Sequence, residues 1–228
     1  MVINIENIKK EITNLVDTFS YDEIDIKEQK HELTLILKKL IFLKEIYSSN
    51  VKLERTYLYC WIEDILIALN EIENANTRYF YFNLRSILEN GVRTIKCENI
   101  DLISMSKNIN QLKKEYKKRN LDKKYIEFMS VIYKEDFNVA SEYIHGNNSN
   151  ISIDVSINLL YSKSLISSYI PQKRINLLKT LNRVMQNLIW IMLPMYYEII
   201  DYVFQNKDYL VYLVNKNYKT ELIKLTKK

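Results

Sequence analysis

Two glycines and two prolines in 228 residues constrain this chain more than any other feature. Average usage would place about 16 glycines and about 11 prolines in such a length. Tight turns draw on glycine's positive φ or proline's fixed φ, whereas both residues weaken helix interiors. A chain so poor in both has little means of building hairpins. It reads as long helices joined by loops of Asn, Ser and Asp. The expected fold class is all-α: a single-domain bundle of long antiparallel helices over residues 1–228, with no internal boundary. Hydrophobic residues make up 47% and charged ones 27%, enough for a core without disulfides or metals.

Periodicity places the helices. Ile5, Ile8, Ile12, Leu15, Val16 and Phe19 recur at helical spacing over 3–19. Ser20-Tyr21-Asp22-Glu23 has the form of a capping box opening a helix to about Tyr47. Further helices are expected at 52–73, 77–97, 100–118, 122–135 and 137–145, the last closed by Gly146. Pro171 fits the first turn of a long helix toward Asp201, with Pro194 kinking it, and a final helix spans 208–225.

The 33 Lys and Arg against 28 Asp and Glu leave a net charge of +5. This mild excess suits a nucleic-acid partner and equally the Lys-rich composition of an AT-rich genome. The N-terminal stretch MVINIENIKKEI lacks an apolar signal core, and the apolar run between Arg183 and Glu198 is too short to span a bilayer. A cytoplasmic location without a membrane partner is expected. Cys60 and Cys97 form no CxxC or Cys/His cluster, so they read as buried thiols, and neither metal nor cofactor is expected. Glycine-rich phosphate loops, GxSxG and HExxH are absent.

Four constellations remain. In the 77–97 helix, Phe80, Leu84, Leu88, Val92 and Ile95 share one side, and Arg78, Arg85, Glu89, Arg93 and Lys96 form a neighbouring stripe. Glu89 lies four residues from both Arg85 and Arg93. The stripe is either a solvated ion-pair ladder or a phosphate site in which Glu89 orients an arginine. Gly91, inside the same helix, costs about 1 kcal/mol relative to Ala, which calls for the close approach of a helix or ligand. His145, at the end of Ser141-Glu142-Tyr143-Ile144-His145, is either a cap on the last carbonyls or a general acid/base; His31 reads as solvated. Lys113, Lys114, Lys117, Lys118, Arg119, Lys123 and Lys124, interleaved with Tyr116 and Tyr125, form a phosphate-tracking patch or a solvated joint. Leu188 to Tyr197 is apolar around most of its circumference, hence core or homodimer seam.

The segments LRSILENGVR (Leu84 to Arg93) and ASEYIHG (Ala140 to Gly146) together resemble bacterial HEPN-like helical proteins, some of which belong to abortive-infection and toxin–antitoxin systems. The resemblance implies a helical bundle, often a homodimer, and in active members a metal-independent endoribonuclease. There a histidine handles protons at the 2′-hydroxyl and an arginine stabilises the phosphate. His145 and Arg85 are the matching catalytic positions. Arg93, Arg78, Lys117, Lys118 and Arg119 would contact RNA, with Glu89, Ser141 and Tyr143 in support. The family's motif sets an Arg shortly before the His; here those positions are Asn138, Val139 and Ala140, so the arginine has to come from Arg85 or Arg93. The other open reading is a non-catalytic helical module that binds a protein through Leu188 to Tyr197 or the C-terminal amphipathic helix.

Overall fold

The structure, a computed structural model, describes residues 5–19, 21, 25–49, 55–74, 76–96, 104–145 and 163–227, with backbone alone at 55, 145 and 163–173. The elements are α1 (Ile5–Thr18), α2 (Ile26–Ser48), α3 (Arg55–Glu73), α4 (Thr77–Lys96), α5 (Met105–Lys118), α6 (Lys123–Val131), a π-helical segment (Ile132–Phe137), α7 (Asn138–His145), α8 (Lys163–Val203), α9 (Lys207–Leu213) and α10 (Lys216–Thr226). The fold is the expected all-α bundle, and no strand occurs among the described residues.

Helix α8 is the spine, packing on α2, α3, α4, α6 and α10. Leu188, Ile189, Ile191, Met192 and Leu193 are all fully buried, and Tyr196 donates its hydroxyl proton to the Thr94 carbonyl of α4. Trp190 lies against Phe128 of α6 and Tyr218 of α10. Burial within the chain therefore accounts for the apolar run from Leu188. Trp190, Met195 and Tyr197 of the same run are partly exposed.

Gly91 finds its reason here. Helix α4 passes α8 and α3 so closely that a Cβ on Gly91 would stand 2.8 Å from Leu188 Cδ1 and 3.3 Å from Trp61 Cε2. The close approach is to neighbouring helices.

Local chemistry moves several expected boundaries. Helix α2 starts only at Ile26, after Asp25 in the left-handed region at φ 57°; Ser20, Asp22 and Glu23 of the expected capping box lie outside the described residues. The joint after α5 is where the basic run predicts it, with Asn120 at φ 51° and the Asp122 side chain accepting from the Lys124 amide at 3.0 Å. The helix expected at 208–225 is two helices, because the Asn215 side chain accepts from the Tyr218 amide at 2.8 Å and opens a new one. The long helix already begins at Lys163, so Pro171 lies inside it, and it continues through Pro194 to Val203. Cys60 is half-buried and free, whereas Cys97 and Gly146 lie outside the described residues.

Gly91→Ala sets a gain in helix propensity of up to about 1 kcal/mol against overpacking of about 1–3 kcal/mol. A net loss of about 1 kcal/mol is expected in urea unfolding. In a Leu188→Ala background the 2.8 Å clash is gone and Trp61 Cε2 at 3.3 Å remains, so the same substitution should cost less. Equal effects in both backgrounds would refute the contact.

Candidate functional site

Helix α4 buries Phe80, Leu84, Leu88, Val92 and Ile95 completely. That orientation turns its polar stripe toward α5 and the π-helical segment. Arg85, Glu89 and Arg93 line a cleft of about 340 Å³ together with Ser104, Met105 and Ser106 at the start of α5, and with Tyr133 and Phe137 of the π-helical segment. Glu89 ties the arginines together. Arg85 Nε donates to Glu89 Oε1 at 3.2 Å, and Arg93 Nη2 lies 3.8 Å from Glu89 Oε2. The Arg85 guanidinium sits 5.2 Å from the Phe137 ring centroid and that of Arg93 5.6 Å from Tyr57. Each guanidinium is thus held by a carboxylate and an aromatic face.

Among the described lining residues, one carboxylate faces two guanidiniums. The N-terminus of α5 adds the positive end of its dipole, and the N-cap Ser104 makes no side-chain capping bond. Guanidiniums, helix amides and serine hydroxyls are the donor set that recognises phosphate. The ion-pair ladder is present, with Glu89 paired to both arginines.

The remaining candidates fall elsewhere. Arg78 is exposed and lines a separate cavity of about 460 Å³ with Tyr79, Phe82 and Ile144. Lys96 shares the stripe's angle but turns inward, donating to Asn108 Oδ1 at 3.3 Å and to Gln111. Ser141 Oγ donates to the Phe137 carbonyl of its own helical turn at 2.8 Å, so it does not support the arginines. Tyr143 stacks on Tyr81 of α4, with ring centroids 3.9 Å apart, and fills the α4–α7 seam instead. His145 is the last residue of α7, and its side chain lies outside the described residues. Phe137 meets Arg85, whereas Ile144 borders the Arg78 cavity. At about 1.5 Å per residue, the His145 backbone is about 12 Å along the axis from Phe137. His31 is exposed.

The basic patch is divided. Lys117, Lys118 and Arg119 are exposed at the end of α5, but Arg119 pairs with Glu115 at 2.7 Å. Lys124 pairs with Glu221 at 2.9 Å and lies over the Trp190 ring, joining α6 to α10 and α8.

Asp136 is a group that periodicity misses. Its side chain is fully buried, Oδ1 accepts from Arg183 Nη2 of α8, and Oδ2 has no partner. Burial outweighs the arginine and pushes its pKa to about 6. It belongs to the π-helical turn that carries Tyr133 and Phe137 on the cleft. A KEDF stretch reads as solvated surface, whereas here Asp136 is turned onto Arg183 of α8. Among the described residues no group of three or more His, Cys, Asp or Glu could hold a metal ion, and no helix is long and apolar enough to cross a membrane.

Folded Asp136 holds its proton to higher pH than the unfolded chain, where it titrates near 3.8. Stability should therefore fall as pH rises from about 4 through about 6, by roughly 2–3 kcal/mol at most, and stay low above that. Urea unfolding across this interval should show the slope in the native chain and a flatter one in Asp136→Asn. An unchanged slope in the variant would assign it to another group.

No protein-family model, curated protein or solved structure matches this chain. What the cleft does is argued from its chemistry.

Proposed function

We propose that this chain is a HEPN-like protein that binds RNA through its phosphates, with the Arg85–Glu89–Arg93 cleft as the phosphate site. The observation that carries the reading is the meeting of two braced guanidiniums with the N-terminus of α5 in one cleft. Bracing lowers the side-chain entropy lost when an anion binds. The aromatic walls, Tyr133 and Phe137, favour a phosphate that carries a base over a bare anion. Cleavage is the active form of the proposal. Arg85 stabilises the charge developing on the phosphate, and His145 moves the proton of the 2′-hydroxyl, without a metal. The HEPN-like resemblance adds a homodimer and a phage-defence or toxin–antitoxin setting.

The second reading, a non-catalytic module for a protein partner, draws on a different place. Tyr79 and Phe82 are 60% and 59% exposed beside the Arg78 cavity. Large rings left in solvent suit a partner protein.

Purified protein incubated with RNA in EDTA separates these readings. Arg85→Ala and Arg93→Ala should each weaken RNA binding about tenfold or more, as expected for a charge-assisted phosphate contact. His145→Ala should keep binding and abolish cleavage. Binding without cleavage by the native chain would leave a non-catalytic RNA-binding protein. No binding to tRNA or mRNA would favour the protein-partner reading.

A further inference from the structure

The cleft takes in the start of α5. Ser106 lines it, and Asn110, Lys113 and Lys117 follow Ser106 at steps of four, three and four residues along α5. At about 100° per residue these side chains lie within about 60° of one another. The buried face of the helix, Met105, Ile109, Leu112 and Tyr116, is turned away from them. The stripe therefore runs from Ser106 at the cleft to Lys117 near the C-terminus of α5, about 17 Å away.

Helix α6 and the π-helical segment pack against α5. Lys113 Nζ donates to Ser130 Oγ at 2.8 Å, so α5 and α6 touch there. Burial, with the like charges of Lys134 and Lys117 beside it, lowers the pKa of Lys113. Lys134 is exposed and follows Tyr133, which faces the cleft. Glu115 holds Arg119, and Glu135 and Asp136 hold Arg183, whereas Glu127, one turn before Ser130 on α6, is exposed.

We propose that the arginine cleft and the Ser106–Asn110–Lys113–Lys117 stripe form one track for an unpaired RNA strand. One base stacks on Tyr133 in the cleft, and the backbone passes Lys134 and Lys113 to reach Lys117. The inference rests on the phosphate-binding reading of the cleft and extends it to a class of ligand. A strand of about four nucleotides fills such a length, near the lower end of known single-strand sites. A duplex, whose bases are stacked on one another, cannot offer a base to Tyr133 without unpairing. The track also sorts the basic residues: Lys113, Lys117 and Lys134 serve it, whereas Arg119 and Lys124 are tied to carboxylates.

The test measures binding of fluorescein-labelled oligouridines of two to ten nucleotides, and of an RNA hairpin stem, over a salt series. Affinity should rise with length to about four or five nucleotides and then level off, with the stem binding more weakly. In Lys117→Gln/Lys134→Gln, both exposed positions, the slope of log affinity against log salt should shrink by about 1.4, two phosphates at about 0.7 each. The charge-matched Lys10→Gln/Lys44→Gln, also exposed, should leave it unchanged. Tyr133→Ala should weaken binding about tenfold, and Tyr133→Phe should restore it. Dinucleotide binding as tight as that of the ten-mer, still lost in Arg85→Ala, would keep the phosphate site and overturn the track. An unchanged salt slope in Lys117→Gln/Lys134→Gln would overturn it too. If no oligouridine or stem binds, both the track and the reading beneath it fall.

Discussion

Leu188 of α8 occupies the space where a side chain on residue 91 of α4 would begin, and the geometry of the cleft depends on that contact. A helix pair can approach this closely only where one partner lacks a Cβ. The approach sinks Leu84, Leu88, Val92 and Ile95 wholly into the core formed with α3 and α8. It also fixes the rotation of α4 about its own axis. The arginines of the next stripe then have no freedom to face elsewhere. They meet the start of α5 and the π-helical turn because the apolar face has been committed to Leu188 and Trp61.

Stability does not explain the polar stripe as well as it explains the apolar one. The side chains of Arg85, Glu89 and Arg93 are 32%, 29% and 21% exposed, and partly solvated pairs of this kind contribute tenths of a kcal/mol. The buried face contributes far more, at about 1.5–3 kcal/mol for each large apolar side chain. Two guanidiniums braced by rings and one carboxylate are an expensive arrangement in side-chain entropy for so small a gain. Anion recognition is a use in which that pre-ordering has value.

Much of this was legible in the residues. Scarcity of Gly and Pro leads to the all-α class, and a glycine inside an amphipathic helix leads to a close helix contact. The i, i+4 spacing of Arg85, Glu89 and Arg93 leads to their pairing. What was not legible depends on partners distant in sequence. Lys96 has the stripe's angle, but α5 covers that end of α4 and supplies Asn108 and Gln111. Lys124 looks like a member of a basic patch until Glu221, nearly a hundred residues on, is seen beside it. Ser141 and Tyr143 were grouped with His145 by adjacency, yet one bonds its own helix and the other stacks on Tyr81. A helical wheel assumes 3.6 residues per turn, so the π-helical turn at Ile132–Phe137 defeats it at the place where the cleft is walled.

That turn is an irregularity whose origin is independent of the arginine stripe. It keeps a carboxylate buried with one oxygen unpaired, an arrangement that costs free energy even with Arg183 alongside. An ordinary α-helical turn would rotate Tyr133, Asp136 and Phe137 relative to one another. Tyr133 and Phe137, four residues apart, share the cleft, and Asp136 of the same turn reaches α8. The cost borne at Asp136 and the aromatic wall facing Arg85 are thus two sides of one turn. Irregular helix geometry of this kind concentrates where a protein binds or reacts. The braced arginines point to the same cleft on electrostatic grounds, and the π-helical turn points to it on conformational ones.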